Sequence, residues 1–249
     1  MKKRIAKLRW ETWNPITGCT QISHGCNNCY ARRISMKMQG IGSPKYKNGF
    51  KLTLHPKALN RPYSWKTQRM VFVNSMSDIF HDGVGIDFIK RVMTVIHDCH
   101  WHRFMAITKR AKRMYELDSQ IDWPKNLVMG VTCESSEYMG RVELLRQTGA
   151  KAKMVSFEPL LSAIPTVNLG GIDWVIVGGE SGKGARPIKP EWVEEIYELC
   201  RNQNVPFMFK QWGSGIKESE KKTTIQRGRW LNRVPQYLVD SPENQLFDL

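Results

Sequence analysis

From residue 70 onward, short runs rich in Val, Ile and Phe alternate with amphipathic stretches, and this rhythm constrains the fold more than any other feature. The runs are Val71-Phe72-Val73, Arg103-Phe104-Met105-Ala106-Ile107, Leu127-Val128-Met129-Gly130-Val131, Lys153-Met154-Val155-Ser156, Trp174-Val175-Ile176-Val177 and Pro206-Phe207-Met208-Phe209; Leu52-Thr53-Leu54 reads as a further strand before them. Helical patterns cover roughly 86–99, start near 109, cover roughly 135–147, and run from Pro190 to about Arg201. Apolar runs of this length, separated by helical periods, predict parallel strands joined by right-handed crossovers. Six or seven such units are too few for a closed eight-unit barrel, so the expected fold is α/β, a partial (β/α)6-type parallel barrel.

In such a barrel the strand ends meet at one mouth. The residues after the runs are polar in succession: Asn74-Ser75-Met76-Ser77-Asp78, Thr108-Lys109-Arg110, Thr132-Cys133-Glu134, Phe157-Glu158-Pro159, Gly178-Gly179-Glu180-Ser181-Gly182 and Lys210-Gln211-Trp212. Loops are polar anyway, so one such end means little and about half of these residues are expected to touch a ligand. Lys210-Gln211-Trp212 ranks first, because a cation, an amide and an indole end one apolar strand together. Asp78 serves equally well as a helix cap, and Cys133 reads as a small packed residue.

Ahead of this rhythm lie Cys19, Cys26 and Cys29, with six residues between the first two and two between the last two. Cys99, Cys133 and Cys200 are scattered singly. No sustained apolar run follows the basic start and no stretch approaches a membrane span, so a reducing, cytoplasmic setting is expected, where clustered cysteines mean metal or catalysis more often than disulfides. Three thiolates are one short of a closed zinc site, for which His24, His55 or His81 is an available fourth ligand. They equally suit a cubane cluster with one iron left open. Spacing alone leaves both readings standing.

Charge adds a partner. The chain carries a formal +15, of which residues 1–70 hold +14: fifteen Lys and Arg against the single acid Glu11. This segment also carries Trp10, Trp13, Tyr30, Tyr46, Phe50, Tyr63 and Trp65, aromatic groups able to stack on bases. Concentrated positive charge with aromatics reads as the footprint of nucleic acid, the plain alternative being a solvated basic surface.

The cysteine flanks match a known pattern. Asn14-Pro15, Gly18-Cys19, His24-Gly25-Cys26 and Cys29-Tyr30 resemble the loop of radical S-adenosylmethionine enzymes of the spore photoproduct lyase branch. The first gap is six residues where that branch has three, and Asn28 replaces an aromatic. Across nearly the whole chain the sequence resembles the phage-encoded three-cysteine-motif family, a radical-SAM-like group. That resemblance rests on Thr12-Trp13-Asn14-Pro15, Phe72-Val73-Asn74-Ser75-Met76-Ser77-Asp78, Thr108-Lys109-Arg110, Glu158-Pro159-Leu160-Leu161, Trp174 to Gly182 and Phe209-Lys210-Gln211-Trp212-Gly213.

The resemblance implies a radical-SAM barrel over 1–213, with 1–70 as the basic segment bearing the cluster loop and 214–249 as a C-terminal extension. It implies a [4Fe–4S] cluster on Cys19, Cys26 and Cys29, S-adenosyl-L-methionine on the open iron, a reductant, and a 5′-deoxyadenosyl radical that abstracts hydrogen, with the protein orienting and shielding the cofactor. Glu158 and Glu180 are the expected partners of the methionine ammonium. Asn74, Ser77, Thr132 and Ser181 are expected at the ribose and carboxylate, and Gly178 and Gly179 where backbone approaches the cofactor. Lys109, Arg110, Lys210, Gln211 and Trp212 are expected on the substrate side, for a nucleic acid or nucleotide in the cytoplasm of a host if the gene is phage-borne. Two other readings stand beside this one: a metal-stabilised nucleic-acid-binding protein, and an inactive barrel held by a partner protein in a phage or defence complex.

Overall fold

The structure is a computed structural model and describes residues 9–216. In chain order its elements are β1 (Arg9–Trp13), β2 (Ile16–Thr17), α1 (Tyr30–Gly40), β3 (Thr53–Leu54), β4 (Arg69–Val73), α2 (Ile86–Asp98), β5 (Arg103–Thr108), α3 (Ala111–Glu116), β6 (Leu127–Thr132), α4 (Gly140–Arg146), β7 (Ala152–Phe157), β8 (Trp174–Gly178), α5 (Pro190–Asn202) and β9 (Phe207–Gln211), with short 3-10 turns between them. Seven strands form one curled, all-parallel half-barrel in the order β1-β4-β5-β6-β7-β8-β9. The strands therefore follow chain order, as successive right-handed crossovers produce.

The six apolar runs all become sheet strands. The seventh strand is β1, not the segment around 52–54: Thr53–Leu54 instead pairs antiparallel with Ile16–Thr17 in a separate ribbon. β1 has a weak apolar signal because its own residues Arg9, Trp10 and Thr12 are exposed, unlike those of the other edge strand, β9, which buries Phe207 and Phe209. Its presence changes the meaning of residues 14–68. The cysteine segment is the crossover from β1 to β4 and so belongs to the mouth. The extension from 217 on, with Lys217–Lys222 and Arg227-Gly228-Arg229-Trp230, lies outside the described residues.

Strand periodicity builds two apolar layers. Val71, Val73, Phe104, Ala106, Leu127, Met129, Val131, Val155, Phe157, Val175 and Val177 face the helices. Met70, Met105, Val128, Met154, Trp174 and Ile176 fill the concave side, with Phe72, Ile107 and Met208 packed against them. The inner side chains thus form a solid floor, and the polar residues at the next inward positions stand above it.

The helices follow their patterns. α2 buries Phe88, Ile89, Val92, Met93, Val95 and Ile96 on one face, and α5 opens on Pro190 and buries Val193, Ile196 and Cys200. α3 starts two residues later than expected. The backbone N–H of Lys109 is given to Asp78 Oδ2 (3.1 Å) and that of Arg110 to Thr108 Oγ1 (2.9 Å), so the turn is complete before a helix can begin. The stretch expected at 135–147 divides into a 3-10 turn, Ser136–Tyr138, and α4. Cys133 Sγ donates to the Tyr138 carbonyl (3.3 Å), and Gly140 weakens helix continuity there.

Trp174 tests the floor. It is fully buried, and its indole N–H meets no acceptor among the described residues. Trp174→Ala is expected to cost about 3–5 kcal/mol through the cavity it opens. Trp174→Phe is expected to cost much less, because the N–H it removes is already unpaired. Chemical denaturation of both variants checks the contrast.

Candidate active site at the barrel mouth

The residues between β1 and α1 are held down at four points of the mouth. The first is at the β4 end, where Gly18 N–H donates to the Met76 carbonyl (3.0 Å) and Tyr30 Oη to the Ser75 carbonyl (2.5 Å). Gly18 sits at φ +79°, with Lys51 O only 2.2 Å from where a Cβ would stand, so this turn requires glycine. At the β5 end, Arg110 donates to Thr20 O (3.1 Å), Thr20 Oγ1 (2.8 Å) and Cys19 Sγ (3.4 Å). Asp78 fixes that guanidinium from 3.3 Å and also accepts from Phe80 N–H and Thr108 Oγ1. Asp78 is thus a structural hub joining the β4 and β5 ends.

The third point is Glu134, just past β6 and fully buried. Its carboxylate accepts from Ser23 Oγ, from Lys109 Nζ (2.8 Å) and from Arg141 Nη1 (2.6 Å). Burial pushes this carboxyl up, but Lys109, Arg141 and Ser23 outweigh it and hold it below the ordinary range. Gly25 leaves the room: a Cβ there would stand 2.4 Å from the Glu134 side chain. The fourth point is at the β8 end, where Asn28 Nδ2 donates to Glu180 Oε2 (2.8 Å) and the Gly184 carbonyl (2.9 Å).

Beneath this loop lies a cavity of about 550 Å³. Cys19, Cys26 and Cys29 all line it as free thiols. So do Asn74, Ser77, Lys109, Arg110, Thr132, Glu158, Gly179, Glu180, Ser181, Lys210 and Gln211. Two expected residues do not. Trp212 is buried against Phe209, with ring centroids 4.5 Å apart, and belongs to the core rather than to a stacking surface. Gly178 does not line the cavity, and its missing side chain leaves room for Glu158, whose Oε1 would stand 2.8 Å from a Cβ.

The charged groups divide by their partners. Glu180 is committed to the protein: Arg186 Nη2 stands 2.5 Å from Oε1, with Asn28 on the other oxygen. Burial raises its pKa, but these hydrogen bonds bring it down to about 2. It braces the loop instead of offering a free carboxylate. Glu158 pairs with Lys210 (2.9 Å) and accepts from Ser156 Oγ (3.1 Å). The Lys210 side chain is about half exposed, so this pair opens to a ligand more readily. Gln211 Nε2 donates to Ser181 Oγ (2.6 Å). Asn74, at φ +56°, receives Ile16 N–H on Oδ1, while its buried Nδ2 has no acceptor among the described residues.

Tyr30, Phe50, Phe72, Ile107 and Ile22 give the cavity an apolar side; Tyr30 and Phe50 are among the aromatics expected to stack on bases, whereas Phe72, Ile107 and Ile22 were not expected there. Phe72 and Ile107 were detectable as inward positions of their strands. Tyr30 and Phe50 depend on the path of an irregular segment. Of the other basic-segment aromatics, Trp13 and Trp65 are buried in the core.

Burial, with the Asp78 carboxylate adding to it, pushes the Cys19 thiol up to about 11, while Arg110 pulls the other way. Among the described residues no three His, Cys, Asp or Glu side chains stand close enough to hold a single metal ion. His55 is engaged with Thr17 Oγ1 (2.8 Å) and His81 with Thr20 Oγ1 (3.0 Å), and His24 is exposed. None of the three lines the cavity. A cubane cluster binds each thiolate to a different iron and needs a wider triangle than one ion does. Three free thiols around one cavity, with no histidine lining it among the described residues, fit that demand in donor type and number.

A family model described as "Protein of unknown function (DUF5131)" matches residues 5–236. No curated protein and no solved structure matches the chain.

Glu134→Gln is expected to destabilise the protein by roughly 3–5 kcal/mol, since it removes one partner from a buried charge cluster. The Glu134 pKa is depressed, so its stabilisation is full above the unfolded carboxyl value of about 4.3 and fades as pH falls through the lower folded value. The stability gap between wild type and E134Q, followed by denaturation against pH, should stay constant from neutral to about pH 5 and close below pH 4.

Proposed function

For this chain, which belongs to the DUF5131 family, we propose a radical S-adenosylmethionine enzyme that modifies or repairs a nucleobase in nucleic acid. One observation carries the reading: three free cysteines line a single cavity at the mouth of a parallel half-barrel, in a loop fastened to four strand ends. When bound, a [4Fe–4S] cluster and S-adenosylmethionine together supply a 5′-deoxyadenosyl radical that takes hydrogen from a substrate.

The chain's own residues divide the remaining tasks. Cys19, Cys26 and Cys29 are the cluster ligands, and Glu134, Glu180 and Arg110 hold their loop in place. The Glu158–Lys210 pair offers a carboxylate and an ammonium side by side, which suits the zwitterionic end of an amino acid. Asn74 Nδ2, Ser77, Thr132 and Ser181 supply further polar contacts. The apolar side formed by Phe50, Phe72 and Ile107 suits a flat heterocycle and keeps water away from a reactive species. Lys109 and Gln211 stand at the substrate side.

Protein purified without oxygen is expected to be brown and to carry about four irons per chain. Replacing any one of the three cysteines with Ala should abolish the colour. Reduction in the presence of S-adenosylmethionine should release 5′-deoxyadenosine. Colourless protein with one zinc would instead support the metal-stabilised binding protein, and an intact cluster without 5′-deoxyadenosine would support the inactive barrel.

Glu158 and Glu180 separate by readout. Glu158→Gln is expected to weaken S-adenosylmethionine binding by about 10–100-fold, the cost of one charge-assisted hydrogen bond, with iron content unchanged. Glu180→Gln is expected to lower iron content first, because it releases Asn28. Calorimetry on the reconstituted proteins, with iron analysis, distinguishes the two.

A further inference from the structure

Helix α1 leads away from the mouth directly after Cys29, and it is poorly covered. Only Ala31 and Ser35 are buried. Tyr30, Ile34 and Lys37 fall on one face by helical spacing, Ile41 continues the row as the residue that caps the helix, its N–H on the Lys37 carbonyl, and Tyr30 itself lines the cavity. Their exposure is large for apolar groups: 47% for Tyr30, 44% for Ile34 and 69% for Ile41. Arg33 flanks this row and is anchored across the opening, donating to the Ser181 and Lys183 carbonyls. The row is about 16 Å long.

Charge decides what suits this face. From Thr12 to Ser77 the sequence has ten Lys and Arg and no carboxylate. Arg61 and Arg69 are occupied by Glu11 below the mouth. Lys37, Lys47 and Lys51, on α1 and in the segment after it, are exposed and have no carboxylate partner among the described residues. A protein partner would have to bring all the negative charge itself, whereas a nucleic acid carries it at every unit. A duplex offers such a face mainly phosphates. A single strand offers phosphates to the cations and unstacked bases to the tyrosine and isoleucines. Chemistry on a base also requires that base to leave its stack before it can enter a cavity of this size.

We propose that the outer face of α1 is a track for single-stranded or locally unpaired nucleic acid, which runs past Ile41, Lys37 and Ile34 and delivers a base over Tyr30 into the cavity. The delivery step rests on the enzymatic reading above; the track itself does not.

The test is fluorescence anisotropy of the full chain with a labelled single strand of mixed sequence, and with the same sequence as a duplex, across a salt series. The single strand should bind at least about tenfold more tightly. Lys37→Ala should lower the slope of log K against log salt by about one for any sequence. The double variant Ile34→Ser, Ile41→Ser should reduce the preference for single strand and leave the slope unchanged. These positions are exposed, and a melting curve for each variant verifies that the fold is intact.

Equal binding of duplex and single strand, or an unchanged slope for the folded Lys37→Ala variant, would overturn the proposal. So would displacement by polyglutamate as effective as by unlabelled strand, since that points to an acidic protein. The two readings fail separately. A strand that does not bind, with cluster and 5′-deoxyadenosine present, removes the track alone. Binding along α1 without a cluster removes the enzyme alone.

Discussion

A fully buried carboxylate holds the mouth together. Glu134 could not remain charged without exposure to water unless every face of it were met, and Ser23, Lys109 and Arg141 meet it. Each contact fixes something else. Ser23 brings down the stretch that leads into Cys26. Lys109 is drawn across from the β5 end, and Arg141 also takes the Thr132 carbonyl and lies 4.1 Å from the Tyr138 ring centroid. The cysteine segment is long and nearly free of regular structure, so it has little backbone pairing of its own. Its order comes from such side-chain anchors, with Asp78–Arg110 and Glu180–Asn28 repeating the device at other strand ends.

The consequence is a lidded cavity with unlike sides. Apolar groups line one part of it and committed ion pairs another, and the Glu158–Lys210 pair is the charged couple with substantial solvent access. Glu134, Glu180 and Asp78 are satisfied by the protein and act as braces. Counting acids at the mouth would therefore overstate how many can meet a ligand. Which carboxylate is free depends on its partners rather than on its position in a motif.

The sheet was largely legible from the chain because burial on both faces leaves near-continuous apolar runs, and six of its seven strands carry them. β1 was not legible, since a strand with Arg9, Trp10 and Thr12 in solvent leaves no such run. α1 was missed for a related reason: it buries only Ala31 and Ser35, so it has no apolar core face to detect. Most expected site residues do reach the cavity, because strand ends converge wherever a parallel sheet curls. Trp212 does not, because the indole packs on Phe209 one step beyond the strand. Partner choice was beyond the sequence throughout. Nothing local says that Glu180 belongs to Arg186 and Asn28, or that Gly178 stands where it does to admit Glu158.

If Cys19, Cys26 and Cys29 hold a cubane cluster, one iron is left open to this cavity. Mössbauer spectroscopy of protein reconstituted with iron-57, before and after addition of S-adenosylmethionine, reads that iron separately from the other three. A cubane spectrum in which one iron of the four shifts on addition, while three do not, is the expected result. Four irons that respond alike, or no cluster signal from folded protein, would rule out an open iron on these three cysteines.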